Sequence, residues 1–95
     1  MKLRTLTKSL EETARLLSQA GEPTRIRILC LLYEQPGVCV NEIADTVGVS
    51  AAVASHHLQA MKESGLLVSE RHGQTICYRI QDSDFSRKLK SLMCE

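Results

Sequence analysis

Four cysteines, at positions 30, 39, 77 and 94, are the side chains of this sequence best suited to covalent or metal chemistry. They are enough for two disulfides, but thiols also bind thiophilic metals and undergo reversible oxidation. The first ten residues carry Lys2, Arg4 and Lys8 without an uninterrupted apolar stretch or a small-residue cleavage site, so no signal peptide is expected. The protein is therefore predicted to be cytoplasmic, where its cysteines would serve as thiols, metal ligands or redox groups.

The three histidines and the glycines offer little to an enzyme. His56 and His57 are adjacent, and neighbouring side chains on a helix point about 100° apart, so the two cannot easily share a metal ion. The sequence has no phosphate-binding glycine loop, no metalloprotease histidine pair and no cysteine with an evident His or Asp partner. We expect neither catalysis nor a cofactor.

The length and composition of the chain predict one small domain spanning residues 1–95. A chain of this length has room for one modest core, and no repeat or linker divides it. No apolar run approaches the roughly 18 residues that a membrane span requires, so membrane insertion is not expected. The net charge of +1 argues weakly against nucleic-acid binding, but positions 50–80 carry three basic side chains against two acidic ones, and all three histidines.

Apolar spacing predicts two helices in the first third of the chain. Leu3, Leu6, Leu10, Leu17 and Ala20 form the stripe of an amphipathic helix that ends at Gly21. Pro23 suits the first turn of a second, strongly apolar helix, which Pro36-Gly37 stops. This second helix is expected to form the centre of the core.

The middle of the chain predicts two helices separated by a tight turn. A short helix from about Asn41 ends at Gly48, and Ser50 is the expected N-cap of a longer helix that Gly65 closes. The inward positions are Ile43, Ala44 and Val47 in the first helix, and Ala54, Leu58 and Met61 in the second. A short helix, a tight turn and a longer helix are typical of a helix-turn-helix.

Two strand-like runs follow, Leu66–Arg71 and Thr75–Ile80, and they predict a β-hairpin. A last helix is expected from about Phe85 to Cys94. The resulting order, α-α-α-α-β-β-α, is that of a winged helix-turn-helix: mainly α, with a β-hairpin wing. The terminal helices are predicted to pair in a homodimer, and packing on their own subunit is the alternative.

Four segments carry a family resemblance: Glu22 to Leu29, Ser55-His56-His57-Leu58, Ser64-Gly65-Leu66-Leu67 and Tyr78-Arg79-Ile80. Together they resemble the ArsR/SmtB repressors over nearly the whole chain, in the same order and spacing. The resemblance implies a homodimer that represses transcription from an inverted-repeat operator in double-stranded DNA. It also implies release of the DNA when an inducer binds or modifies the protein.

DNA contacts are predicted on the face of the fourth helix opposite its core stripe. A recognition helix in the major groove would present Ser50, Ala51, Ala52, Ser55, His56 and Gln59. Ser55, His56 and Gln59 can hydrogen-bond to base edges or phosphates, whereas Ala51 and Ala52 offer methyl contacts to thymine. Phosphate or minor-groove contacts are expected from Lys62, Arg71, His72 and Gln74, for which plain solvated surface is the alternative.

Two inducer sites that the family resemblance would imply are missing from the sequence. The terminal-helix zinc site begins with Asp-x-His, but this chain has Asp82-Ser83-Asp84 and no histidine after His72. The arsenic and cadmium sites use a Cys-Val-Cys element, of which this chain keeps Cys39 and has Asn41 at the second cysteine position. Neither site is complete.

A different cysteine pair resembles that of the BigR and SqrR branch, whose members sense sulfide and persulfides. Cys30, in the second helix, and Cys94, near the end of the last, fall where that branch has two facing thiols. The resemblance implies that a disulfide or polysulfide bridge between them changes the spacing of the recognition helices and releases DNA. The inducer would then be a reactive sulfur species.

Alternatives remain open at this point. Cys30 suits an apolar core as a small hydrophobe, and Cys94 is near a chain end. A thiophilic ion such as arsenite, bound by some of Cys30, Cys39 and Cys94, is a second possibility for the inducer. Cys77 is interpreted as a packing residue of the wing. A winged helix used only for protein interaction is a rival function, and steep salt dependence would favour DNA over it.

Overall fold

The computed structural model of the protein describes residues 8–93. Its elements in chain order are α1 (Lys8–Ala20), α2 (Pro23–Glu34), β1 (Val38–Cys39), α3 (Val40–Val47), α4 (Ala51–Glu63), β2 (Leu67–His72), β3 (Thr75–Ile80) and α5 (Asp84–Met93). The expected architecture, mainly helical with a β-hairpin wing behind a helix-turn-helix, is confirmed. The structure adds β1, which the sequence had not predicted. Cys94, together with Leu3 and Leu6 of the predicted first helix, lies outside the described residues.

Side-chain caps fix where α2 and α4 begin. The Glu22 carboxylate accepts hydrogen bonds from the backbone N–H groups of Thr24 at 2.9 Å and Arg25 at 3.2 Å. Pro23 occupies the first turn, where a missing N–H costs nothing. The Ser50 hydroxyl, in the predicted capping position, accepts from the Val53 N–H at 3.1 Å. These bonds satisfy donors that have no partner inside the helices.

The sheet has three antiparallel strands in the order β1-β3-β2. The β2 and β3 strands form the predicted hairpin, with Leu67 opposite Ile80 at one end and His72 opposite Thr75 at the other. Gly73 begins the two-residue turn with a φ of 65°, a backbone conformation that glycine adopts without steric cost. On the other side of β3, Val38 lies opposite Tyr78 and Cys39 opposite Cys77.

The core lies between the helix-turn-helix and α2 and is closed by the sheet and α5. Its buried apolar side chains include Ile28, Leu29 and Leu32 from α2; Ile43 and Ala44 from α3; Ala54, Leu58 and Met61 from α4; and Leu67, Tyr78 and Leu89 beyond them. The predicted inward positions of α4 are all fully buried, and Val47 of α3 packs half-buried against the cluster. The inner face of α4 is therefore held in the core.

One set of hydrogen bonds caps the start of α5, and one further hydrogen bond joins it to α2. Ser83 and Ser86 bond reciprocally, each backbone N–H donating to the other's hydroxyl at 3.0 Å. The Tyr33 hydroxyl of α2 donates to the Ser86 carbonyl at 2.7 Å. As a result, α5 crosses α2 at the level of Tyr33. No helix within residues 8–93 has both the length and the apolar composition that crossing a membrane would require.

Candidate nucleic-acid interface and cysteine sites

The outer face of α4 is open to solvent. Ala51, Ala52, His56 and Gln59 are exposed and Ser55 is half-buried, whereas the opposite face is completely buried in the core. The preceding α3 ends at Gly48, whose φ of 81° turns the chain, and Ser50 starts α4 two residues later. The short turn between α3 and α4 therefore leaves the outer face of the first two turns of α4 exposed to solvent. This geometry matches that of a helix available to a DNA groove.

An open groove of about 330 Å³, the wing groove, separates the beginning of α4 from the wing. It is lined by Val40, Asn41, Ala51, Ala52, Ser55, Gln74, Thr75 and Ile76. Four of the predicted contact residues thus lie together, three on α4 and Gln74 on the wing turn. Asn41, in the first turn of α3, also lines the groove. It was predicted as the start of that helix and as the position of a missing cysteine, but not as a contact residue.

The remaining predicted contacts lie further out. Arg71 and His72 are exposed on the wing, where the His72 imidazole Nε2 is 2.7 Å from a Glu70 carboxylate oxygen. The Arg71 guanidinium is 3.4 Å from the Gly73 carbonyl. Lys62 is exposed in the last turn of α4, at the opposite end of the helix from the groove. None of these three side chains is therefore among those that line the groove.

A polar cluster joins α4 to the first two helices. The Arg25 Nε donates to the Nδ1 of the half-buried His57 at 3.1 Å, and its Nη1 donates to the Gln19 side-chain oxygen at 2.8 Å. Glu22 Oε2 lies 3.6 Å from the same histidine nitrogen. The backbone N–H of Thr24, more than any other group, holds the pKa of Glu22 below its usual value. This cluster, which was not predicted, fixes the inner edge of α4.

Cys30 is half-buried on α2, in an open groove between α2 and α3. This groove has a volume of about 330 Å³ and is lined by Ile26, Arg27, Cys30, Leu31, Glu34, Thr46 and Val47. Tyr33, one turn further along α2, touches α5 through Ser86. Cys30 therefore lies one helical turn from the crossing of α2 and α5. Its predicted partner, Cys94, lies outside the described residues.

Cys39 and Cys77 face each other across β1 and β3, with their sulfur atoms at bonding distance. Cys77 is buried, as expected of a packing residue, but its contact with Cys39 was not foreseen. The contact was not predicted because β1 was not predicted. A strand of two residues has no alternation of apolar and polar side chains to recognise. Among residues 8–93, no three His, Cys, Asp or Glu side chains come together to hold a metal ion.

Exposed leucines mark the terminal helices. Leu10 and Leu17 of α1 are 53% and 50% exposed, and Leu92 of α5 is 81% exposed. A groove of about 350 Å³ runs between the two helices and is lined by Thr13, Leu17, Asp84, Phe85, Lys88, Leu89 and Leu92. The two helices together thus present a continuous, partly apolar face to solvent.

Comparison with known proteins gives concordant matches. A family model described as bacterial regulatory protein, arsR family, matches residues 22–69. The HTH-type transcriptional regulator YgaV of Escherichia coli K12 is 36% identical over 92 residues, which cover 94% of this chain and 93% of that protein.

Two solved structures are also similar. The solution structure of a homodimeric winged helix-turn-helix DNA-binding domain from Mycobacterium bovis has a TM-score of 0.80 at 32% identity, covering 97% of this chain and 86% of that one. The crystal structure of the AntR antimony-specific transcriptional repressor has a TM-score of 0.82 at 29% identity and covers 99% of this chain and 86% of that one. The similarity thus extends over nearly the whole chain.

Proposed function

Because this chain belongs to the ArsR family of bacterial regulatory proteins and is a DNA-binding transcriptional repressor, we propose that it works as a cytoplasmic homodimer on an inverted-repeat operator. Residues 1–95 would act as one DNA-binding domain. The proposal further states that a bridge between Cys30 and Cys94 releases the DNA. The observation that carries the DNA-binding part is the exposed outer face of α4 beside the wing groove.

The α4 face supplies the base contacts in this proposal. Ser55, His56 and Gln59 lie on the outer side of the helix and offer hydrogen-bonding groups to base edges, whereas Ala51 and Ala52 offer methyl groups to thymine. The wing residues Arg71, His72 and Gln74, and Lys62 at the far end of α4, contact phosphates or the minor groove. Ser50 caps α4, so its backbone is positioned to approach a phosphate at the helix N-terminus.

Replacing the three polar side chains of α4 tests the DNA contact. The variant S55A/H56A/Q59A should lose at least about tenfold in operator affinity in a mobility-shift assay, because a good base contact is worth roughly 1–3 kcal/mol. Gln35→Ala, an exposed glutamine outside the wing groove, is the matched control and should bind normally. Unchanged affinity of the triple variant would overturn the assignment.

The salt dependence of binding distinguishes DNA binding from protein interaction. Binding through phosphates releases counterions, so operator affinity should fall steeply between about 50 and 200 mM salt. An interaction module that binds another protein through apolar surface would show a shallow dependence. A flat salt profile would favour that rival function.

The terminal helices supply the dimer interface in this proposal. Leu10, Leu17 and Leu92 would leave water on pairing, and burial of apolar area is the main driving force for such association. A two-fold dimer places two copies of α4 in successive major grooves, which is why an inverted repeat is the expected target.

Cys30 is the proposed sensing thiol because it lies one turn from the α2–α5 crossing. Its thiolate takes the outer sulfur of a persulfide donor and releases the donor as a thiol. The Cys94 thiolate then attacks the Cys30 sulfur and displaces hydrosulfide, which leaves a disulfide. Such a bridge would pull α5, and with it the dimer face, relative to α2.

Serine variants test the switch separately from DNA binding. Cys30→Ser and Cys94→Ser should each bind the operator normally but remain bound after treatment with a persulfide donor. Cys39→Ser is the matched control and should still be released. If both single variants still respond, the Cys30–Cys94 switch is wrong while the DNA-binding proposal stands.

A thiophilic metalloid is the second candidate inducer, favoured by the similarity to the antimony-specific repressor AntR. Its ligands would be drawn from Cys30, Cys39 and Cys94. The position of Cys39 weighs against this set, since its sulfur is already in contact with that of Cys77. Release of DNA by arsenite, and not by a persulfide donor, would favour the metalloid.

A further inference from the structure

Cys39 and Cys77 lie where the helix-turn-helix meets the wing. Cys39 ends β1 and is the N-cap residue of α3, the first helix of the helix-turn-helix. Cys77 is a buried residue of β3, the strand that β1 and β2 flank. The two are direct partners in the β1–β3 register. A bond between their sulfurs therefore ties the wing to α3.

A cysteine pair in a cytoplasmic DNA-binding regulator is kept reduced unless an oxidant acts on it, whereas a pair in a secreted protein stays oxidised. In reducing surroundings a disulfide forms in response to an oxidant and is reversed afterwards, so cytoplasmic pairs are typically sensory or transient. This step rests on the proposed function, which sets the compartment. Because Cys39 and Cys77 are direct register partners, their thiols can react without a change in strand pairing.

We propose that Cys39 and Cys77 are a reversible dithiol–disulfide couple. When a hydroperoxide oxidises the pair, the disulfide links the wing covalently to the helix-turn-helix. Cys39 is half-buried and reacts first, whereas Cys77 is 4% exposed and resolves the product. The Cys39 thiolate attacks the peroxide, giving a sulfenic acid and an alcohol or water. The Cys77 thiolate then displaces the hydroxyl as water. Two electrons pass from the sulfurs to the peroxide, and a cellular dithiol reverses the bond.

The bond encloses the whole DNA-binding unit. Cys39 and Cys77 are 38 residues apart, and the loop between them contains α3, α4 and β2. Closing a loop of this length restricts the unfolded chain and raises stability. Neighbours of both cysteines, Val40 and Ile76, line the wing groove, so the bond also holds the groove at the width seen in the structure.

Oxidation of the Cys39–Cys77 pair therefore has a different effect from oxidation of a pair that releases DNA. A Cys30–Cys94 bridge is proposed to shift α5 and free the DNA, whereas the Cys39–Cys77 bond joins residues that are already paired. Oxidation at this second pair should stabilise the DNA-binding unit and leave its operator affinity intact. The four cysteines then form two pairs with different outcomes.

The test uses the C30S/C94S variant, which keeps only the second pair. Treated with hydrogen peroxide, it should lose about 2 Da by the loss of two hydrogens, and a proteolytic map should join the Cys39 and Cys77 peptides. Its melting temperature should rise by roughly 10 °C or more, and a dithiol should reverse the shift. Operator affinity should stay within about threefold of the reduced form.

The triple variant C30S/C39S/C94S is the control, since Cys39 is partly exposed and its replacement is compatible with folding. It should show neither the mass loss nor the thermal shift. Absence of the Cys39–Cys77 cross-link in the C30S/C94S variant would overturn the proposal, as would release of operator DNA on oxidation. Because Cys30 and Cys94 are absent from the test protein, neither result depends on the persulfide switch.

Discussion

Single side chains at helix starts determine how α4 is presented. Glu22 caps α2 and also approaches His57, so one carboxylate links the start of α2 to the inner edge of α4. Arg25 completes the link by donating to the same histidine nitrogen. Small changes at these residues should therefore reach α4 without altering any DNA contact.

Glu22→Gln should lower stability at neutral pH and do so less in acid. Because the folded protein holds the pKa of Glu22 below 4.5, the ionised form stabilises the fold above that pH, and the benefit is lost as the pH falls through the lowered value. The melting temperature of the variant should lie a few degrees below that of the parent at pH 7. The difference should shrink below about pH 4.

Thermal melts of both proteins between pH 3 and 7 would measure this effect. Glu63→Gln, at the exposed end of α4, provides the control. A gap that widens in acid would contradict the role assigned to Glu22.

At the scale of elements, helix starts and stops were predictable because single residues encode them. Pro23, Gly48 and Ser50 all have the roles expected from their types. The two-residue strand β1 was not predictable, because its pairing with β3 depends on tertiary structure rather than on local pattern. The Cys39–Cys77 contact was missed for the same reason, since a partner 38 residues away leaves no local signal. The outer face of α4 followed from its core spacing alone.

The turn between α3 and α4 can be tested at Gly48. Its φ of 81° is unfavourable for a side chain, although a Cβ there would meet no atom within 4 Å. Gly48→Ala should therefore lower the free energy of unfolding by about 1–2 kcal/mol through backbone strain alone. Urea denaturation would measure the loss. Gly48→Asn should cost less, because asparagine tolerates this conformation, and equal losses for the two variants would argue against strain as the cause.

At the scale of the whole molecule, the apolar faces of α1 and α5 lie apart from the wing groove. The groove is formed by α3, α4 and the wing, whereas the exposed leucines belong to the terminal helices. This separation allows one surface to pair subunits while the other contacts DNA. Cys30 lies close to the α2–α5 crossing, where a chemical change can reach the pairing surface.

Charge on the terminal helices should dissociate the dimer. L17E and L92E each place a carboxylate in the proposed interface, and burying an unpaired charge is strongly unfavourable. Sedimentation should show monomers, with operator affinity reduced at least about tenfold because two linked half-sites become independent. Val53→Glu, at an exposed apolar position on α4, should stay dimeric. If both L17E and L92E remain dimeric, the interface lies elsewhere.

The most direct test of the whole account follows the cysteines and the DNA in one sample. The reduced wild-type protein, bound to its operator, is treated in parallel with a persulfide donor, a peroxide and arsenite. Intact mass, a tryptic map and a mobility shift are then recorded. The account predicts that the persulfide donor joins Cys30 to Cys94 and frees the DNA. Release by arsenite alone, or a Cys30–Cys94 link on protein that stays bound, would contradict it.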